Sequence, residues 1–181
     1  MKYIDDQTQL INTVIDRYTK VDGKSKFLEA GRYTIWPDGH RYRGLISLEI
    51  YKMLGGNQSG FLKGVVGIEA IHHASLVFDD LPCMDDSPTR KGKPTNHIKY
   101  GEDIAILSGL YLWELGRQLV YENTREHLNK PENVDEVELL LHQTIVGMLH
   151  GQEIDLQTRK SKDDLEESIY QKNRMFGYCF L

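Results

Sequence analysis

The sequence predicts an all-α protein, a helical bundle with one sizeable core. Apolar residues recur along most of the chain at spacings near 3.6 residues, as amphipathic helices require. Several of these apolar runs are followed directly by proline or by paired glycines, which end helices. The 181 residues are enough for one domain with a substantial core, and we predict a single domain over 1–181.

The N-terminal half contains four predicted helices. The first has apolar residues at roughly helical spacing: Ile4, Leu10, Ile11, Val14, Ile15 and Tyr18. A polar break from Lys20 to Lys26 precedes a shorter helix, Phe27 to Tyr33, which the Trp-Pro-Asp-Gly turn at 36–39 closes. The third helix follows the basic string that begins at His40, and it ends at Gly55-Gly56. The fourth spans Leu62 to Phe78.

The C-terminal half contains three predicted helices. Gly101 to Tyr121 is one helix, whose predicted core-facing stripe is Ile104, Leu107, Tyr111 and Leu115. The polar segment Glu122 to Glu136 contains Pro131, and we interpret it as a connection that gives way to a helix near Asn133 or Val134. The last predicted helix is Asp163 to Leu181.

Four carboxylates are crowded into eight residues at the end of the fourth helix. Pro82 stops this helix, so Asp79 and Asp80 lie at its C-terminal end, and Asp85 and Asp86 follow. Carboxylates this close to one another and to the negative end of a helix dipole are unfavourable without a cation. Oxygen ligands without clustered His or Cys favour Mg²⁺ or Ca²⁺ over zinc, and the calcium-loop pattern is absent. We therefore predict a Mg²⁺ site.

Two groups of basic residues indicate an anionic ligand that contains phosphate. Arg90, Lys91 and Lys93 follow the acidic cluster, and His40, Arg41 and Arg43 precede the third helix. Cations at a helix start oppose the helix dipole, so their position suggests that they meet an anion. His72 lies seven residues before Asp79 and so on nearly the same helix face. Solvated surface charge, and for His72 a satisfied core histidine, are the alternative interpretations.

The string FDDLPCMDDSPTRKGKPTNH resembles the first aspartate-rich motif of the trans-isoprenyl diphosphate synthases, the polyprenyl synthetase family that includes farnesyl and geranylgeranyl diphosphate synthases. The match is to the form with four residues between the acidic pair and the next acid. The resemblance implies an isoprenoid-synthase-like helical bundle. It also implies that Asp79 and Asp85 bind Mg²⁺ with support from Asp80, that Arg90 binds the allylic diphosphate, and that Lys91 contacts the homoallylic substrate.

Three further strings are similar to family motifs. DGHRYRG resembles GGKRLRP, which implies that His40, Arg41 and Arg43, together with His72, bind isopentenyl diphosphate. HGQEIDLQ resembles GGQxLDL, and YQKNRMFGY resembles the HKTG-type segment. These two matches imply allylic-diphosphate contacts from four residues, namely Gln152, Asp155, Lys172 and Asn173. In the family, bulky aromatic residues at the positions of Ala74 and Ser75 stop chain elongation early. Small residues there imply a product at least as long as farnesyl and favour a geranylgeranyl chain.

The activity implied is Mg²⁺-dependent condensation of isopentenyl diphosphate with dimethylallyl, geranyl or farnesyl diphosphate. Its products would be geranylgeranyl or farnesyl diphosphate and pyrophosphate. The family's second aspartate-rich motif, FQxxDDxxD, is not reached before Leu181, so we expect the chain to correspond to the N-terminal two thirds of a family member. Two alternatives are a class I terpene cyclase, which needs no isopentenyl diphosphate site, and a noncatalytic partner subunit of a prenyl synthase.

Composition limits the partners and the compartment. A net charge of −5 and a pI near 5.8 argue against a nucleic-acid footprint. Two cysteines form no disulfide framework, and the acidic N-terminus resembles neither a secretory signal nor a transit peptide. No run of the sequence approaches the ~20 apolar residues that a membrane span requires. We therefore predict a cytoplasmic protein, and the family resemblance implies a homodimer with an interface near Gly101 to Tyr121.

Overall fold

The computed structural model describes residues 2–36, 39–127, 131–157 and 161–173. Within these residues the all-α prediction is confirmed: the chain forms eight helices and one short antiparallel hairpin. The elements in order are α1 (Lys2–Thr19), α2 (Lys26–Ile35), α3 (Tyr42–Met53), α4 (Gln58–Asp79), β1 (Thr89–Arg90), β2 (Lys93–Pro94), α5 (Asn96–Tyr100), α6 (Glu102–His127), α7 (Pro131–Asp155) and α8 (Lys162–Lys172).

Parts of three predictions lie outside the described residues. These are the turn residues Pro37 and Asp38, the last predicted helix beyond Asn173, and Cys179. The chain divides into two compact units, residues 1–123 and 124–181, and each is described by itself below. The prediction of a single domain stays a prediction.

In the first unit the core is built around α4. Val65, Val66, Ala70 and Ala74 of this helix are fully buried, and they share one apolar cluster with residues of four other helices: Ile11, Ile15, Ile35, Leu48, Leu112 and Leu119. By length and composition alone α4 could cross a membrane, although it carries Lys63 and Glu69. However, 61% of its most apolar window is buried inside the structure, as is typical of the core helix of a folded domain.

Helices α4 and α6 approach each other closely because glycines face each other across the contact. A Cβ atom on Gly67 would lie 2.7 Å from the carbonyl oxygen of Gly116, and one on Gly116 would lie 2.6 Å from the Ile71 side chain. The buried side of α6 accordingly consists of small and apolar residues: Ala105, Ser108, Leu112, Leu119 and Val120.

This contact shows that the predicted core stripe of α6 is wrong. Leu107 is 48% exposed, and Ile104, Tyr111 and Leu115 are only partly buried. Hydrophobic periodicity favours the positions with large apolar side chains, whereas the contact with α4 requires small residues that allow the two backbones to meet. The face of α6 that points to the core is therefore rotated by about one residue from the predicted one.

A short hairpin that was not predicted from the sequence lies between α4 and α5. Arg90 pairs with Lys93, and Lys91 and Gly92 connect the two strands with φ values of 52° and 76°. Positive φ at both central residues is the requirement of a type I′ turn, which glycine satisfies easily. The hairpin places Arg90 next to the end of α4, as described below.

In the second unit, α7 packs on α8. Gly151 permits this approach, since a Cβ there would lie 2.8 Å from the backbone nitrogen of Lys172. Ser161 begins α8 with a reciprocal capping box to Asp164. The predicted connection from Glu122 to Glu136 is wrong at both ends, because α6 continues to His127 and α7 begins at Pro131. Proline is tolerated as the first residue of a helix, where its missing N–H has no helical partner.

Candidate active site

The acidic loop folds back onto the end of α4. Asp79 is the last residue of this helix, and its carbonyl oxygen accepts a hydrogen bond from the backbone N–H of Asp85 at 2.9 Å. The N–H of Asp86 donates to Leu81 at 3.1 Å, and that of Ser87 donates to Asp80 at 3.2 Å. These bonds bring Asp85, six residues further along the chain, next to Asp79. The sequence predicted the helix end at Pro82 but not this closure of the loop.

Asp80 is the most buried of the four clustered carboxylates. Its carboxylate is buried and accepts from Nε of Arg90 at 2.9 and 3.0 Å and from Nη2 at 2.6 Å. This hydrogen bonding to Asp80, reinforced by the charges of Asp80, Asp79 and Asp85, raises the pKa of Arg90 above its ordinary value despite partial burial. The carboxylate is thus paired with a cation of the protein, and its role toward Mg²⁺ stays a prediction.

Asp79 and Asp85 fit a Mg²⁺ ion that takes most of its ligands from water and phosphate. No three His, Cys, Asp or Glu side chains within the described parts of the chain are grouped to hold a metal. Asp79 and Asp85 are adjacent through their backbone bond, and Mg²⁺ characteristically uses one or two protein carboxylates and completes its octahedron with water and phosphate oxygens. The donor set therefore fits a Mg²⁺ ion that arrives with a diphosphate.

Arg43 and His72, two predicted contacts of isopentenyl diphosphate, meet in the structure. Nη1 of Arg43 lies 3.0 Å from Nε2 of His72. A guanidinium has no acceptor, so Nε2 must accept and the ring proton resides on Nδ1. Burial lowers the pKa of His72 well below its usual value, and the nearby Arg43 charge lowers it further. The imidazole is therefore neutral at pH 7.

Arg41 is placed differently from its predicted role. Its side chain is completely buried, with Nε bonded to Asn12 at 2.8 Å and Nη2 to the carbonyl of Ile35 at 2.6 Å. Nη1 lies 3.4 Å from Glu69. This burial does not fit the predicted direct contact with isopentenyl diphosphate, and Arg41 is instead a structural residue.

His40 and Lys91 are exposed on the same unit. His40 stacks on Tyr42 with the ring planes 4° apart, and Lys91 occupies the hairpin turn. Of the two predicted chain-length residues, Ala74 is fully buried in the main core, while Ser75 is half-buried and its hydroxyl donates to the carbonyl of His72 at 2.8 Å. Ser75 is therefore the better candidate for the wall of a prenyl pocket.

A cavity of about 60 Å³ lies between α2, α4 and the hairpin. Its lining includes His73, Asp80, Arg90, Lys91 and Asn96. Such a volume holds a few water molecules and is far too small for a prenyl chain. Burial also lowers the pKa of His73 to about 4, and its Nδ1 lies 2.7 Å from the Glu69 carbonyl oxygen, which is typical of a structural histidine in a core.

The second unit holds the other predicted substrate contacts. Nζ of Lys172 donates to Asp155 at 2.7 Å, so these two residues form an ion pair with each other. Both polar side-chain atoms of Gln152 are buried without a hydrogen-bond partner among the described residues. Asn173 donates to the carbonyl of Ile169 at 2.8 Å at the end of α8. The roles of these four residues toward a diphosphate stay predictions.

Sequence reasoning missed Glu69. This carboxylate is 2% exposed in the middle of an apolar helix, and it accepts from the backbone N–H of Gly44 at 3.0 Å. A lone acid inside the apolar segment Gly64 to Ala74 was the available signal, because a buried charge normally has a partner.

Comparisons with known proteins extend these findings. A family model described as polyprenyl synthetase matches residues 24–176. The mitochondrial geranylgeranyl pyrophosphate synthase 10 of Arabidopsis thaliana is 34% identical over 157 residues, which are 86% of this chain and 45% of that protein. The farnesyl diphosphate synthase of Bacillus subtilis is 30% identical over an alignment of 185 positions, gaps included, which covers 99% of this chain and 62% of that protein.

A solved structure agrees with these sequence matches. The geranyltranstransferase from Thermotoga maritima has 26% sequence identity and a TM-score of 0.87, over 98% of this chain and 66% of that one. This chain thus spans about half to two thirds of the length of the proteins that it matches.

Proposed function

This chain belongs to the polyprenyl synthetase family. From that premise we propose that it functions as a short-chain trans-prenyltransferase. The reaction joins isopentenyl diphosphate to dimethylallyl, geranyl or farnesyl diphosphate and gives geranylgeranyl or farnesyl diphosphate and pyrophosphate. The observation that carries the proposal is the contact between Arg43 and His72, because His72 lies on the same helix that ends in the metal-binding Asp79.

Arg43 and the neutral His72 would hold the diphosphate of the homoallylic substrate. Arg43 supplies the permanent charge and His72 orients it, while the exposed cation Lys91 adds a point charge. The exposed His40 would add a further hydrogen bond beside them. A class I terpene cyclase needs no such site, so this cluster favours condensation over cyclisation.

Arg90 would bind the diphosphate of the allylic substrate. Asp80 engages Nε and Nη2 and so holds the guanidinium in one orientation, while its Nη1 side is not used in that contact. Asp79 and Asp85 would hold Mg²⁺, which when bound stabilises the negative charge on the departing pyrophosphate. Charge that develops as the carbon–oxygen bond breaks is thereby met by groups already in position.

The test is a product assay with radiolabelled isopentenyl diphosphate and each allylic diphosphate, with Mg²⁺ or with EDTA, together with calorimetric binding of each substrate. We expect Mg²⁺-dependent binding of geranyl diphosphate and Mg²⁺-independent binding of isopentenyl diphosphate. Arg43→Ala should weaken only the latter, by about 10- to 100-fold, since hydrogen bonds to charged groups are the stronger kind. Arg17→Ala, on α1, is the matched control. A chain that binds neither substrate, or that converts an allylic diphosphate alone, contradicts the proposal.

We also propose that two copies associate through α6. Ile106, Leu107 and Leu110 are 42%, 48% and 51% exposed and lie on one side of this helix. Leu110→Asp should lower the mass measured by light scattering from that of a dimer to that of a monomer, and Glu114→Asp on the same helix should not. Cytoplasmic location likewise stays a prediction, to be tested by fractionation of the native protein.

A further inference from the structure

Helix α3 begins without the usual local cap. Its N-cap residue is Arg41, whose side chain has no acceptor and makes no capping bond. Arg41 also has φ 52°, a left-handed conformation that a non-glycine residue seldom adopts. The first N–H groups of a helix need acceptors, which an N-cap side chain normally provides. The start of α3 therefore depends on a group from elsewhere in the chain.

Glu69 of α4 is that group. Its Oε1 accepts from Gly44, the third residue of α3, at 3.0 Å, and its Oε2 lies 3.4 Å from Nη1 of Arg41. Gly44 makes this approach possible, since a Cβ there would lie 2.8 Å from the Val65 side chain and 3.4 Å from Oε1. A single buried carboxylate thus caps α3 and neutralises the cation that precedes it.

The same carboxylate places Arg43 opposite His72. Glu69 and His72 are three residues apart on α4 and so lie on one face of that helix. Gly44 and Arg43 are consecutive on α3. The hydrogen bond that the Gly44 N–H donates to Glu69 therefore fixes the position of Arg43 opposite His72. The distance between Nη1 of Arg43 and Nε2 of His72 is 3.0 Å. Arg41, which is paired with Glu69, also donates hydrogen bonds to the side chain of Asn12 in α1 and to the carbonyl of Ile35 at the end of α2.

We propose that Glu69, with Arg41, is a positioning device for the homoallylic diphosphate site, which orients Arg43 through the N-terminus of α3 and touches no substrate itself. This inference rests on the proposed function for the identity of the ligand. The carboxylate is favourable at a helix N-terminus, whereas the two cations Arg41 and Arg43 are not. The charge of Glu69 thus offsets the unfavourable interaction between the cations and the positive end of the α3 dipole.

The decisive variant replaces both charges, Arg41→Met with Glu69→Met. Removing both partners of a buried ion pair in favour of apolar side chains is often neutral for stability, whereas removing one leaves an uncompensated charge. We expect a folded protein in which affinity for isopentenyl diphosphate falls about 10- to 100-fold, while affinity for geranyl diphosphate changes less than about threefold. Glu69→Gln, which keeps an acceptor for Gly44, should bind isopentenyl diphosphate more tightly than the double variant does.

The matched control is a second ion pair of the same unit, Asp16 with Arg32, replaced by Asn and Gln; it should leave both affinities unchanged. Two NMR readouts need no ligand. The double variant should lose exchange protection at the Gly44 amide and change the ¹⁵N shift of His72 Nε2, and the control should do neither.

Each outcome decides the proposal. Unchanged Gly44 and His72 signals in the folded double variant overturn it, and so does an equal loss of both affinities. If the parent chain binds no isopentenyl diphosphate, the proposed function fails, while the two NMR signals still decide whether Glu69 positions Arg43.

Discussion

Asp80→Asn should lower the free energy of unfolding, whereas Asp85→Asn should raise the Mg²⁺ concentration needed for binding of geranyl diphosphate. Asp80→Asn weakens three contacts of 2.6 to 3.0 Å with Arg90. An exposed ion pair contributes about 0–1 kcal/mol, and breaking a fully buried one costs about 3–5 kcal/mol. The two side chains are 7% and 36% exposed, which lies between these cases. We therefore expect Asp80→Asn to lower the free energy of unfolding by about 2 kcal/mol.

Asp85→Asn is the matched control, because Asp85 is exposed and its structural bond comes from its backbone N–H. It should change the free energy of unfolding by less than about 0.5 kcal/mol, as surface substitutions usually do. Its effect should be on the metal: the Mg²⁺ concentration that gives half-maximal binding of geranyl diphosphate should rise at least about tenfold. For Asp80→Asn that concentration should stay within about threefold of the parent value.

The assays are urea unfolding without ligand and calorimetric titration of geranyl diphosphate at a series of Mg²⁺ concentrations. The reasoning is refuted if Asp80→Asn leaves the unfolding free energy unchanged. It is also refuted if Asp80→Asn raises the Mg²⁺ requirement as much as Asp85→Asn does, because Asp80 would then be a metal ligand.

Three further results are expected. Gly116→Ala should destabilise the chain by about 2 kcal/mol in urea unfolding, because overpacking against backbone outweighs the gain of about 1 kcal/mol in helix propensity. A Cβ on Gly31 would lie 2.9 Å from the Tyr111 ring and 3.5 Å from Leu112, so its three nearest atoms all belong to side chains. Gly31→Ala should therefore be close to neutral, and equal effects of the two substitutions would contradict the close backbone contact. The pKa of the buried His73 is lowered from 6.5 to about 4, so the unfolded state takes up the proton first as the pH falls. The contribution of His73 to the free energy of unfolding should therefore decrease by about 3 kcal/mol between pH 6.5 and 4. His73→Leu should remove that part of the pH dependence, and an unchanged pH profile would exclude this histidine as its source. Ser75→Phe should shorten the longest radiolabelled product by at least one isoprene unit, and an unaltered product length would remove Ser75 from the pocket wall.

The elements predicted correctly from sequence depend on local signals. Pro82 indicates the end of α4 because proline restricts the residue before it, and this places Asp79 correctly without knowledge of any other helix. The acidic cluster and the basic residues near Arg90 were recognised for the same reason, since charge type and spacing are visible in one stretch. The family resemblance matched Arg43 and His72 to one ligand; the structure places the two side chains 3.0 Å apart, and their role toward that ligand stays a prediction.

The parts that were missed depend on contacts between distant residues. Glu69 and Gly44 are 25 positions apart, and nothing near either residue indicates that a carboxylate caps another helix. Arg41 was predicted as a ligand contact because its charge is visible in the sequence. Its burial, and its hydrogen bonds to Asn12 and to the carbonyl of Ile35, are not visible there. The stripe of α6 was wrong because hydrophobicity favours large side chains, while the contact at Gly116 requires small ones.

Helix α4 has one consequence for how this chain can change over evolutionary time. It carries Glu69, His72, Ser75 and Asp79 on a single rigid rod, with a rise of about 1.5 Å and a turn of about 100° per residue. A deletion of one residue between Glu69 and Asp79 would rotate everything beyond it by that angle and change the position of Asp79, the predicted metal ligand, relative to the capping carboxylate of Glu69. Substitutions should therefore be tolerated in this stretch far more readily than insertions or deletions. Changes in length belong in the loop after Asp80, where backbone bonds rather than helical register bring Asp85 to its place.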